Sequence, residues 1–147
     1  MEKIVTTSDS ETMSLGRKIM TEIEKGAFVA LYGDLGAGKT ALVKGMVSSF
    51  LPDAIVTSPT YNIVNTYSDG EISFHHFDMY RITDEDDLYS VGFFDISPDD
   101  FIVAEWCENI PWAIPDKYLK ITITKDPTDF NVRYIEMEFI DNADSRS

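Results

Sequence analysis

Eight consecutive residues, Gly33-Asp34-Leu35-Gly36-Ala37-Gly38-Lys39-Thr40, constrain this chain more than any others, because they satisfy G-x-x-x-x-G-K-[ST] without a mismatch. The glycines let successive backbone N–H groups turn inward and lie close to phosphate oxygens, since no Cβ blocks the approach. A lysine at Lys39 can reach the β- and γ-phosphates of a nucleotide as a point charge, and a hydroxyl at Thr40 can ligate Mg²⁺. A turn that merely joined a strand to a helix would need one or two glycines and would have no use for Lys-Thr after them.

The loop works only between a strand and a helix, and both flanks fit. Ala27-Phe28-Val29-Ala30-Leu31-Tyr32 is a short continuous apolar run, as expected of a strand buried on both faces. Beyond the loop, Leu42, Val43, Met46, Val47 and Phe50 recur at helical spacing, and Pro52 closes the segment. The helix beginning near Gly38 adds the positive end of its dipole to the anion site.

The remaining pattern predicts an α/β, single-domain, mixed sheet of the P-loop NTPase type over residues 1–147, with a parallel core, antiparallel hairpins and flanking helices. Lys3 to Thr6 reads as a short edge strand. Ser8 and Glu11 have capping-box spacing ahead of a helix carrying Leu15, Ile19, Met20 and Ile23, with Gly26 as its stop. Asn62 to Tyr67 and Ile72 to Phe77 read as a hairpin joined by Ser68-Asp69-Gly70. Thr83 is expected to cap a short helix opening on Asp84-Glu85-Asp86-Asp87. Phe101 to Ala104 is a second buried strand ending in Glu105. Leu119, Ile121 and Ile123, then Ile135, Met137 and Phe139, alternate with polar residues as a second hairpin. The segment from Asp141 to Ser147 is expected to fray.

Charge narrows the partners. The net charge is −14, with twelve basic residues among 147 and no cluster of them, so the chain lacks the electrostatic footprint of direct nucleic-acid binding. Acidity of this size serves solubility and also suits a basic protein partner. No apolar run is long enough to span a membrane, the N-terminus has no signal-peptide character, and the single cysteine, Cys107, excludes an internal disulfide. A cytoplasmic location is expected.

Phosphate loops need an acidic residue at the end of another buried strand, acting on Mg²⁺ directly or through water. Glu105, after Phe101 to Ala104, and Asp78, after Phe77, are both candidates. Thr57-Ser58-Pro59-Thr60-Tyr61 supplies a proline-stiffened loop whose hydroxyls could sense a γ-phosphate or its metal. His75 and His76 are adjacent and so point to opposite sides of a strand, which makes at least one of them structural. Cys107 is expected to be buried and inert.

Taken together, the loop Gly33 to Thr40, Ser58-Pro59-Thr60-Tyr61, His76-Phe77-Asp78-Met79-Tyr80-Arg81 and Glu105-Trp106 resemble the TsaE family, also called YjeE, in residue, order and spacing. The resemblance covers nearly the whole chain. It implies an ATP-binding, Mg²⁺-dependent ATPase required for threonylcarbamoyladenosine modification of tRNA, acting on two other proteins, TsaB and TsaD, while TsaD holds the transferase site. Carried over by position, Gly33, Asp34, Leu35, Gly36, Ala37, Gly38, Lys39, Thr40 and Ala41 form the nucleotide-binding loop. Thr40, Glu105 and Asp78 serve the metal, and Lys39, Asp78, Glu105 and Thr60 serve catalysis. Trp106 lies beside the nucleotide, and Ser8-Asp9 and the hairpin near Arg133 border the adenine. One departure is visible: family members often carry an arginine soon after Glu-Trp, where this chain has Cys107-Glu108-Asn109-Ile110, and Arg81 is the substitute the sequence suggests.

Two other classes share the loop. A GTPase would need a D-x-x-G switch, yet none of the eight glycines has Asp three residues before it, and no Asn-Lys-x-Asp motif is present. A small-molecule kinase would need an acceptor pocket and an arginine-rich lid. The four arginines, Arg17, Arg81, Arg133 and Arg146, make such a lid hard to build.

Overall fold

The computed structural model describes residues 2–33 and 38–142. They form a seven-stranded sheet in the order β1-β7-β6-β2-β5-β4-β3. The strands are β1 (Glu2–Thr6), β2 (Phe28–Gly33), β3 (Val64–Ser68), β4 (Ser73–Asp78), β5 (Phe101–Glu105), β6 (Lys117–Lys125) and β7 (Arg133–Asp141). The helices are α1 (Asp9–Glu22), α2 (Lys39–Ser48) and α3 (Glu85–Ser90), with short 3-10 turns at Met79–Arg81, Phe93–Asp95 and Cys107–Asn109. Strands β6, β2, β5 and β4 run parallel, whereas β7 and β1 on one side and β3 on the other join antiparallel. The expected mixed sheet with a parallel core is therefore present.

Strand alternation sorts the side chains into two layers. Val29 and Leu31 of β2, Phe74 of β4, Val103 of β5 and Ile121 and Ile123 of β6 lie on the face covered by α1 and α2. Phe28, Ala30, Phe77 and Ala104 lie on the other, packed beneath Leu88 of α3 and the 3-10 turns. Helix α2 seals the first layer with Leu42, Val43, Met46 and Val47, all fully buried. Each contributes on the order of 1.5–3 kcal/mol relative to exposure. Helices α1 and α2 meet at two glycines: a Cβ on Gly45 would lie 2.0 Å from the Met13 carbonyl oxygen, and one on Gly16 would lie 2.3 Å from that of Leu42. Only hydrogen at these positions lets the two backbones touch. The apolar periodicity predicts both helices but not this contact.

Local differences from the sequence reading have local causes. Helix α1 ends at Glu22 rather than running to Gly26; Gly26 sits in the following turn at φ +81°, where a Cβ would strike the Pro98 carbonyl. Ser8 caps α1 by accepting from Glu11 N (3.0 Å), but the Glu11 carboxylate reaches back to Thr7 N (2.7 Å) instead of the cap itself. Asp84, not Thr83, caps α3, because its carboxylate accepts from Asp87 N at 3.0 Å. Thr83 is held from the other direction, donating through N and Oγ1 to the Asp87 carboxylate. Fraying is expected from Asp141 onward, but Asp141 closes β7 opposite Lys117 and Asn142 N donates to the Asp116 carbonyl at 2.9 Å; residues 143–147 lie outside the described residues.

Candidate functional site

The parallel core brings three strand ends together. Leu31 of β2 is level with Glu105 of β5, and Glu105 is level with Asp78 of β4. The chain leaves β2 at Gly33 and re-enters α2 at Lys39, so this helix begins beside both carboxylates. Gly38, at φ +97°, occupies the N-cap position without offering a side-chain acceptor. No side chain at the cap position therefore competes with an anion for the first N–H groups of α2.

Lys39 is buried, and its ammonium donates to the Gly33 carbonyl at 3.0 Å and pairs with Glu105 Oε1 at 3.3 Å. The other carboxylate oxygen, Oε2, lies 2.6 Å from His76 Nε2. Burial alone would push the Glu105 carboxyl up; the hydrogen bond and charge of His76, then those of Lys39, hold it below the ordinary glutamate value. Asp78 is equally buried and is oriented by accepting from Tyr80 N at 3.0 Å, which caps the 3-10 turn that follows β4.

A cavity of about 340 Å³ opens over this cluster. It is lined by Lys39, Thr40, Ala41, Asp78 and Glu105, by Ser58, Thr60 and Trp106, and by Asp9 and Arg133, the last beside Gly38. The structure thus brings together Gly38, Lys39, Thr40, Ala41, Thr60, Asp78, Glu105 and Trp106 from four separate stretches of sequence. Gly33 sits at the edge of the group through its carbonyl contact with Lys39. The expectations for Asp34, Leu35, Gly36 and Ala37 lie outside the described residues. Ser58 and Thr60 hydroxyls are 2.7 Å apart on the rim.

The only two non-glycine residues with left-handed φ among the described residues flank this cavity. Trp106 (φ 60°) turns the chain immediately after Glu105, and its ring meets Tyr80 at 5.0 Å. Ile63 (φ 68°) takes the Pro59 carbonyl on its N–H at 2.7 Å and returns its own carbonyl to Asp78 N at 2.8 Å. A β-branched residue in that region costs on the order of 1–3 kcal/mol, which is sustained here where it fastens the Ser58–Thr60 loop to the end of β4.

Sequence reasoning missed several participants. Asn109 donates to the Met79 and Tyr80 carbonyls at 3.0 and 3.1 Å, tying the exit of β5 to that of β4; it lies in the stretch where the family arginine is absent. Arg81 does not replace that arginine at the cavity, because its guanidinium lies 5.7 Å from the centre of the exposed Tyr61 ring. Arg133, on the hairpin the resemblance puts at the adenine, is the arginine that lines the cavity beside Lys39, with Nη1 donating to the carbonyls of Phe130 and Val132. Of the two histidines, His76 is fully buried under the site, whereas His75 projects to the other side and pairs with Asp100 at 2.9 Å. Cys107 is next to Trp106 in sequence but belongs to the opposite layer, donates to the Ala104 carbonyl, and has its thiol pushed up to about 12 by burial, then by Glu108 and Glu105.

The chain is similar to known proteins of one family. The family model described as "Threonylcarbamoyl adenosine biosynthesis protein TsaE" matches residues 6–134. The tRNA threonylcarbamoyladenosine biosynthesis protein TsaE of a Nostoc species is 32% identical over 130 residues, covering 84% of this chain and 78% of its own. The protein of the same name from Bacillus subtilis is 31% identical with the same coverage. That from Haemophilus influenzae is 37% identical over 101 residues, 68% of this chain and 64% of its own. The crystal structure of Bacillus subtilis YdiB superposes with a TM-score of 0.73 at 28% identity, over 95% of this chain and 84% of that one.

Proposed function

The chain belongs to the TsaE family of threonylcarbamoyl adenosine biosynthesis proteins, and from that premise we propose that it is a magnesium-dependent ATPase, slow alone, that works on the TsaB–TsaD complex. Its family places it in the biosynthesis of threonylcarbamoyladenosine in tRNA. The observation that carries the finer reading is the buried contact between Lys39 and Glu105, 3.3 Å long, at the point where a phosphate-loop sequence leaves the central strand.

The residues present fit ATP and its metal. Oxygen donors, two strand-end carboxylates and the Thr40 hydroxyl, are the type Mg²⁺ accepts. No cluster of three or more His, Cys, Asp or Glu side chains forms a metal site by itself among the described residues. Thr40, Asp78 and Glu105 would hold the ion, which when bound neutralises charge on the phosphates.

The chain's own groups do the rest. Lys39 can trade Glu105 for a phosphate oxygen, exchanging one anionic partner for another without exposing its charge to a dry pocket unpaired. Glu105, relieved of Lys39, becomes an acceptor for the proton side of an attacking water. Asp78 and Thr60 stand on the strand end and loop facing the same space. The α2 N-terminus and the glycine loop supply N–H donors to the phosphates; Asp34, Leu35, Gly36 and Ala37 enter this proposal through the sequence pattern alone. Trp106 borders the nucleotide from the rim. With a net charge of −14, the chain leaves the tRNA to its partners. No helix among the described residues is long and apolar enough to cross a membrane, and the work is done in the cytoplasm.

ATP and tRNA incubated with TsaB, TsaD, threonylcarbamoyl-adenylate and this chain should give repeated rounds of modification, with ATP hydrolysis faster than by the chain alone. Lys39→Ala should abolish the repeated rounds; equal turnover by that variant would refute the reading.

A further inference from the structure

His76 is fully buried, and its Nδ1 has no hydrogen-bond partner among the described residues. The single polar contact recorded for its ring is the 2.6 Å approach of Nε2 to Glu105 Oε2. Imidazole buried with one nitrogen unpartnered is costly, and an apolar side chain of similar volume would pack there at least as well. The neighbours on the same face, Phe74 two residues earlier and Val103 level with it on β5, are apolar and belong to the main core. Core packing therefore gives no reason for a histidine at this position. The contact with Glu105 does.

The two oxygens of Glu105 have different anchors. Oε1 is held by Lys39, whose ammonium faces the cavity, and Oε2 by His76, which faces only the core. A ligand anion entering the cavity competes for Lys39 and cannot reach His76. We infer that His76 is a positioning residue which keeps Glu105 in its working orientation once an incoming phosphate has taken Lys39 from it. The inference rests on the ATPase reading above. Since a carboxylate only accepts, Nε2 carries the proton and donates it to Oε2, and an outer partner of this kind fixes the rotamer of the group it touches.

His76→Phe fills the volume and removes the donor; His76→Gln keeps a donor N–H at about the reach of Nε2. With ATP and Mg²⁺, His76→Phe should lower kcat by about 10- to 100-fold, with KM for ATP changing less than about threefold and the thermal midpoint no lower than the parent's. His76→Gln should recover most of the loss. A kcat for His76→Phe equal to the parent's, or a loss that follows a lowered thermal midpoint in both variants, would overturn the inference. The imidazole ¹H–¹⁵N spectrum of the nucleotide-free protein reads the same pairing without turnover. A hydrogen-bonded Nε2–H resonance that shifts in Glu105→Gln and survives addition of ATP and Mg²⁺ supports it. An Nδ1–H tautomer, or loss of the resonance on adding nucleotide, overturns it. A parent that binds no ATP would instead sink the ATPase reading, and the nucleotide-free spectrum would still decide whether His76 anchors Glu105.

Discussion

The two ends of the central strand β2 carry two cavities, and the larger is the less informative. At the start of β2 a depression of about 470 Å³ lies between Lys25, Phe28, Lys117 and Phe139. The Lys117–Asp141 ion pair at its edge is 3.8 Å long with both side chains mostly in solvent, so it contributes little. At the other end, in about 340 Å³, Lys39, Asp78 and Glu105 are buried and His76 lies beneath them. Burying charge opposes folding unless partners compensate. The smaller cavity is therefore where the chain sustains a cost, and the larger is a place where helix α1 and the β6–β7 hairpin part company. Buried charge, not volume, marks the proposed site. The same contrast follows from the topology, since ligands of open parallel sheets sit beyond the carboxyl ends of the strands.

The comparison can be broken most sharply at Glu105. Glu105→Gln keeps the shape but not the charge, and should lower ATP turnover by on the order of 100-fold while changing ATP affinity far less; steady-state kinetics beside equilibrium binding separates the two. The same variant should alter acid stability. Glu105 titrates below its ordinary value of 4.5 in the folded chain, so it stabilises the fold above that value, and the contribution is lost as pH falls below it through the lowered folded value. Urea midpoints should therefore fall less steeply below about pH 4.5 in Glu105→Gln than in the parent. A smaller effect is expected where helix α2 is supported from behind. Gly45→Ala should cost about 1–3 kcal/mol in urea unfolding by forcing α1 and α2 apart, and should weaken nucleotide binding through the displaced N-terminus of α2; unchanged stability would show that the helix pair can give way.

Most of this architecture was legible in the chain because its signals are local. The loop pattern, the apolar run before it and the helical periodicity after it lie within 24 consecutive residues, from Ala27 to Phe50; Glu105 follows its own apolar run, and Asp78 follows the hairpin strand that ends at Phe77. What was not legible depends on pairs far apart in sequence. His76 meets Glu105 across 29 positions, and nothing in His75-His76 says which imidazole turns inward until β4 is placed level with β5. Gly16 and Gly45 gave no periodic signal, because their role is a contact between two helices. Arg81 looked like the available cation by proximity in sequence, but the 3-10 turn after Asp78 carries it out to Tyr61. Arg133 was placed near the nucleotide by the family resemblance alone; what brings it to Gly38 is the pairing of β7 with β6 beside β2.

The nucleotide is proposed to sit at one end of the sheet and not the other, and titration calorimetry with ATP and Mg²⁺ separates the two ends. The parent should bind one equivalent. Lys39→Ala should lose the heat of binding, and Phe139→Ser, at the larger cavity, should retain both the stoichiometry and the affinity within about twofold, as an exposed substitution away from the site should. Undiminished binding by Lys39→Ala together with lost binding by Phe139→Ser would place the ligand at the wrong end of β2 and contradict the account.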